Sequence, residues 1–251
     1  MAARLFCACM LAVLILLRPL AAAIPSPPVR GATHTANWQV VLAAGDGSLP
    51  VFDDATAAFA RRLVMAGVPR ADIHRLTASA AELRAGVAPA TRDRLLRRIA
   101  DLPARPGDRC LVFLTSHGER GAGLWLALSD AALSPEQLAR ALSGGCAAVP
   151  TVVIVSGCYT GAFAEGAMRR PNRIILTAAR ADRPSFGCQA GRTYTFFDQC
   201  LLAALPQSAS WRGAFARTAR CVRWMEDRLD MQPSDPQAYF GAAVGALSLG
   251  F

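Results

Sequence analysis

The sequence predicts one α/β domain whose mostly parallel central sheet is covered by helices on both faces. Three observations predict it. Residues 38–43, 110–114, 151–155 and 173–177 are short, nearly continuous apolar runs, the pattern of strands buried on both sides. Segments with apolar residues at helical spacing separate these runs, and such alternation yields parallel pairing through crossover helices. The chain's 251 residues suit one domain with a sizeable core and are few for two.

Residues 1–23 begin with Arg4, continue as an apolar run over 5–17 and close on Arg18 and Ala21-Ala22-Ala23. That is the pattern of a signal peptide, with cleavage expected after Ala23. The run is shorter than the roughly 20 residues that span a bilayer, so no permanent membrane span is expected after cleavage. The mature chain is expected to be exported, periplasmic or secreted, where disulfides are permitted. Residues 24–37, rich in Pro, Ser, Thr and Gly, read as a flexible lead-in to a domain over 38–251.

The strand at 38–43 stops at Gly45-Asp46-Gly47, and a helix is expected over 53–67 from the spacing of Ala57, Ala60, Leu63 and Val64. A second helix over 91–102 turns Leu95, Leu96 and Ile99 inward and Arg92, Arg94, Arg97 and Arg98 to solvent, ending before Pro103 and Pro106. The strand at 110–114 runs into Thr115-Ser116-His117-Gly118, and 124–128 reads as an extra strand or hairpin arm. Ser134 with Pro135 opens a helix that lasts to Gly144-Gly145. The strand at 151–155 runs into Ser156-Gly157-Cys158-Tyr159-Thr160-Gly161. After the strand at 173–177 come a polar loop over 179–191, helices over 194–205 and 211–229, and a closing strand at 237–240.

Hydrophobic residues make up 53% and charged residues 18%, which excludes a disordered chain. The formal charge of +9 comes entirely from arginine, with no lysine. An undirected excess of this kind gives no reason to expect a nucleic-acid partner. His34, His74 and His117 lie far apart and no Cys-x-x-Cys occurs, so no metal site is expected. Gly45-Asp46-Gly47 starts like a dinucleotide fingerprint, but Pro50 stands where its third glycine belongs; no cofactor is expected.

Ligands of an open parallel sheet bind beyond the carboxyl ends of its strands. Two such ends carry His117-Gly118 and Gly157-Cys158, placing an imidazole and a thiol on one edge. Cysteine attacks as the thiolate, which a neighbouring histidine favours. Either residue alone is more often structural; the pair, each beside a glycine that lets amides approach a substrate, reads as a nucleophilic dyad.

These motifs, with Ala43-Ala44-Gly45-Asp46-Gly47 before them and Thr177-Ala178-Ala179 to Ser185-Phe186-Gly187-Cys188 after, resemble the legumain family of cysteine peptidases, family C13, in its short exported bacterial form. The resemblance implies a caspase-like three-layer αβα fold and a cysteine endopeptidase acting on a peptide or protein substrate. Cys158 would attack the carbonyl, His117 would manage the leaving amine's proton, and the amides of Gly118 and Cys158 would form the oxyanion hole. The family's third catalytic position, an Asn, falls at Asp46, a candidate third catalytic residue that reads more readily as a turn residue between two glycines. Legumains of plants and animals carry an acid two positions before the cysteine and an Arg after the first strand. This chain has Ser156 at the former and no Arg from Gly45 to Phe59, so Asn preference does not carry over. Ser185 matches a family pocket serine, and Ser156, Arg180, Asp182 and Arg183 join it as pocket candidates.

Two other functions share these motifs: a transamidase or ligase using the same acyl-enzyme, and an inactive envelope binding protein that keeps the fold. Pairing among Cys110, Cys146, Cys188, Cys200 and Cys221 is open; the count is odd, so at least one is unpaired, and Cys110 in its apolar strand is expected to be a buried thiol. Oligomeric state is not indicated.

Overall fold

A computed structural model of the chain describes residues 37–250. The expected signal peptide, and the lead-in apart from Asn37, lie outside the described residues. In chain order the elements are β1 (Trp38–Ala44), α1 (Val51–Met65), β2 (Ile73–Thr77), α2 (Ala80–Arg84), β3 (Ala88–Pro89), α3 (Arg92–Ala100), β4 (Arg109–Thr115), β5 (Gly118–Glu119), β6 (Gly123–Leu126) and β7 (Ala131–Leu133). They continue with α4 (Pro135–Gly145), β8 (Thr151–Ser156), β9 (Arg173–Thr177), α5 (Phe196–Ala204), α6 (Trp211–Arg228) and β10 (Gln237–Phe240).

Seven strands form one sheet in the order β10-β9-β8-β4-β1-β2-β3. All pairs are parallel except β10 with β9 at the edge. The four apolar runs are its four central strands, and alternation along them builds two cores. Val41, Val112, Leu114, Val153 and Val155 pack under α3 and α4 through Leu95, Ile99, Leu138 and Leu142. Val40, Leu42, Leu111, Phe113, Val152 and Ile154 face α1, α5 and α6 through Phe59, Leu63, Phe197, Leu201 and Trp211. This is the three-layer αβα arrangement expected.

Local chemistry sets the helix starts. The hydroxyls of Thr91, Ser134, Thr195 and Ser210 accept from backbone N–H groups in the first turns of α3, α4, α5 and α6. At α4 the cap is reciprocal, with the Gln137 side chain accepting from the Ser134 N–H at 3.0 Å.

The sequence pattern missed β2, α2, β3 and the layout of a second, smaller sheet. β2 is polar and half-buried over Ile73–Arg75, and pairing with β1 makes it a strand where its hydrophobicity does not. The arm expected at 124–128 is the middle strand, β6, of a second antiparallel sheet β5-β6-β7, and a 3₁₀ turn takes over at Ala127.

Cys110 is not a buried thiol. It is disulfide-bonded to Cys146, with Cα atoms 6.0 Å apart, and Cys200 is bonded to Cys221. Its side chain faces the α3–α4 layer, where α4 ends at Cys146. Apolar periodicity shows that a cysteine is buried and cannot show that another is buried against it. Cys158 and Cys188 are the free cysteines among the described residues. Among those residues no helix is long and apolar enough to cross a membrane.

Candidate active site

Strands β4 and β8 are neighbours, and their last residues, Thr115 and Ser156, are register partners. The same offset carried two residues on pairs His117 with Cys158, so the sheet brings both residues to one stretch of its carboxyl edge. The backbones there are pressed together. A Cβ on Gly118 would fall inside the carbonyl oxygen of Cys158, 2.8 Å from its carbonyl carbon and 3.0 Å from its nitrogen; one on Gly157 would lie 2.7 Å from the Ser116 carbonyl oxygen. Only glycine permits that approach. The hairpin of β5 and β6 locks the histidine segment from above: Trp125 N–H donates to His117 O at 2.9 Å, and Ser116 Oγ donates to Trp125 O at 2.7 Å.

The Cys158 sulfur is half-buried and held by one residue of the 178–194 loop. Ser185 donates its N–H to Sγ at 3.2 Å, with its hydroxyl at 3.7 Å, and its carbonyl oxygen lies 3.4 Å away. The Cys158 N–H donates to no acceptor among the described residues. Tyr159 then takes the left-handed region at φ 60°, costly for a non-glycine residue. Two contacts hold it: its N–H donates to Arg183 O at 2.9 Å, and its ring lies under the Arg120 guanidinium, 4.9 Å from the centroid. The His117 ring is braced edge-on by Phe52 of α1 at 5.2 Å.

The remaining candidates take different places. Asp46 is 8% exposed, and its Oδ1 accepts from the Ser48 N–H at 2.7 Å and from the Ser48 hydroxyl, the geometry of a turn residue. No hydrogen bond joins it to His117 among the described residues. Ser156 is buried beneath the cysteine. Arg180 and Asp182 sit on the exposed rim, paired through two hydrogen bonds of 2.5 and 2.9 Å, and the guanidinium holds the Asp182 carboxyl down to about 2. Asp235 ties this rim to the segment after α6: Arg180, Arg183 and Arg223 lie 3.5, 3.8 and 3.3 Å from its carboxylate.

Two residues near the site were not singled out from sequence. Cys188 packs with Ala44, Val51 and Phe52; burial, and then the charge of a Cys158 thiolate, push its thiol up. Asp198, in the first turn of α5, is 1% exposed and accepts from Thr115 Oγ1 at 2.8 Å. Burial pushes its carboxyl up to about 6, against the opposing pull of the Ser156, Thr115 and Thr195 hydroxyls. The Thr-x-x-Asp spacing of Thr195 and Asp198 signals a capped helix start; nothing in it says that the acid turns toward the sheet.

Residues 98–218 match the model of the Peptidase C13 family, a span that takes in His117 and Cys158 and begins after Asp46. Among solved structures 177 chains match. One, titled "structure of pro-sf-caspase-1", has a TM-score of 0.57 at 13% identity and covers 84% of this chain and 93% of that one. At that identity the likeness shows the fold. A comparison with curated proteins finds no match. The family match and the fold together support a function of the cysteine-peptidase type.

Proposed function

With residues 98–218 belonging to the legumain-like Peptidase C13 family inside a caspase-like fold, we propose that this protein is a cysteine endopeptidase in which Cys158 and His117 form the catalytic dyad. The observation that carries the proposal is the matched register of β4 and β8, which brings the two residues to one edge by strand pairing alone. The Cys158 thiolate attacks the scissile carbonyl, forming the S–C bond and an oxyanion. The N–H groups of Gly118 and Cys158 receive that charge; one such donor is worth roughly 3–4 kcal/mol of barrier. His117 in its charged form gives a proton to the amine as the C–N bond breaks, leaving a thioester. Water, deprotonated by the now neutral imidazole, releases the acid and restores the thiolate.

Ser185 holds the sulfur in position and, with Ser156, Arg180 and Asp182, is a candidate for contacting the substrate side chain. Asp46 is the candidate third member through its place at the end of β1, next to β4. The substrate is a peptide or protein. An exported location, periplasmic or secreted, is supported by two disulfides in six cysteines that follow the signal segment.

Intact-mass labelling with a panel of peptidyl acyloxymethyl ketones tests the dyad. One adduct is expected, absent in Cys158→Ala and formed more slowly in His117→Ala. A folded protein with reduced Cys158 that takes no adduct from any probe would overturn the proposal.

A further inference from the structure

Asp198 carries a cost that packing alone does not explain. Its carboxylate is buried with no cationic partner among the described residues, where an amide or apolar group of the same shape would leave no charge to desolvate. What it reaches is the last residue of the strand that carries the histidine. Thr115 Oγ1 donates to its Oδ2 at 2.8 Å, while its buried Oδ1 has no hydrogen-bond partner among the described residues. Thr115 and Ser156 are register partners, each two residues before a reactive side chain.

We infer that Asp198 is a positioning residue, its carboxylate anchoring the end of β4 through Thr115, whose register partner is the end of β8, and so fixing His117 against Cys158 without touching either. The inference rests on the dyad reading above. Ionised, the carboxylate accepts a charge-assisted hydrogen bond from Thr115, roughly twice as strong as one between neutral groups. Protonated, it loses that assistance, which loosens the end of β4. The groups facing it from β4, β8 and α5 are the hydroxyls of Thr115, Ser156 and Thr195, all uncharged. From α1, Asp53 turns instead to Thr77 of β2, which donates to it at 2.5 Å. Loss of the charge therefore produces an acidic limb in reactivity that belongs to Asp198.

The test is the alkylation of Cys158 by a peptidyl acyloxymethyl ketone from about pH 4.5 to 8.5, in wild type, Asp198→Asn and Thr115→Val, recording maximal rate and half-saturating probe concentration separately. Asp198→Asn is expected to lower the maximal rate about tenfold or more, since small misplacements of reacting groups are costly, with half-saturation unchanged. It is also expected to lose the acidic limb near pH 6, where burial places the Asp198 carboxyl. Thr115→Val should lower the maximal rate and lose the limb with it. Asp198→Asn with the wild-type rate and pH profile would overturn the inference, as would an effect confined to half-saturation, which would make Asp198 a substrate contact. If Asp198→Asn does not fold, Thr115→Val decides: a wild-type maximal rate overturns the inference. A wild type that takes no label refutes the dyad itself, whereas labelled variants indistinguishable from wild type refute only the role of Asp198.

Discussion

Replacing Gly118 by alanine adds one methyl group where the structure has no room for it. The new Cβ would lie 2.8 Å from the Cys158 carbonyl carbon and 3.0 Å from its nitrogen, and closer still to the carbonyl oxygen. None of these atoms is the end of a flexible side chain, so the backbones of the two strand ends must part by roughly 1.5–2 Å before the carbonyl oxygen, the closest of them, reaches an ordinary contact distance of about 3.5 Å. Overpacking of this kind costs about 1–3 kcal/mol, and in a domain of this size each kcal/mol lowers Tm by roughly 2–4 °C. Reactivity should suffer more than stability. A shift of about 1 Å between reacting groups can cost about 100-fold in rate, and here it also displaces an oxyanion donor. The assay pairs a thermal melt with the second-order rate of Cys158 alkylation. Gly67→Ala is the control: Gly67 has φ 98° after α1, with nothing within 4 Å of its virtual Cβ, so alanine there brings strain of about 1–2 kcal/mol and no clash. Both variants should melt lower, and only Gly118→Ala should label slowly. A Gly118→Ala protein that labels as fast as Gly67→Ala would refute the argument that close backbone approach builds this site.

Opening the Cys110–Cys146 disulfide, which closes a separation of 36 residues, should cost slightly more than opening Cys200–Cys221 across 21. The chain-entropy relation gives about 3.8 and 3.3 kcal/mol; denaturant midpoints of the two Cys→Ala pairs check the order, and a loss under about 1 kcal/mol for both would contradict it. Stability should also fall with rising pH through the range set by the buried acids. The carboxyls of Asp198, Asp53 and Glu226 are all raised, chiefly by burial, so each contributes stability fully present below its unfolded pKa and lost as pH rises through its folded one. For Asp198, raised from 3.8 to about 6, the contribution is about 3 kcal/mol. Unfolding of wild type and Asp198→Asn at about pH 4 and 7.5 should show a smaller pH difference in the variant, and equal differences would count against a buried, titrating Asp198. Cys188, its thiol raised by burial and by the neighbouring sulfur, should react with iodoacetamide more slowly than an exposed thiol at neutral pH, which peptide mapping reads directly.

At Asp198 reactivity and stability pull in opposite directions. The change expected to slow the dyad is also expected to stabilise the fold at neutral pH. That is the usual tension between a strained reactive site and a comfortable core. Tyr159 shows it again, held at φ 60° immediately after the nucleophile by a hydrogen bond to Arg183 O and by the Arg120 guanidinium.

The sequence by itself determined the four central strands, because a strand buried on both faces must be apolar at every position and Val152, Val153, Ile154 and Val155 satisfy nothing else so well. It also determined the helix starts, where Thr91, Ser134, Thr195 and Ser210 announce themselves by local capping chemistry. With 110–114 and 151–155 parallel in one sheet, His117 and Cys158 share its carboxyl edge, but that the two strands are neighbours was decided by the tertiary structure. Tertiary structure alone decided what depends on partners distant in sequence. β2 became a strand through β1, Cys110 found Cys146 across two layers, and Ser185 reached back over the Cys158 sulfur. Asp198 turned from its own helix toward Thr115. Periodicity and capping are local and leave their mark on adjacent residues, whereas a contact between distant segments leaves no mark on either until the chain has folded.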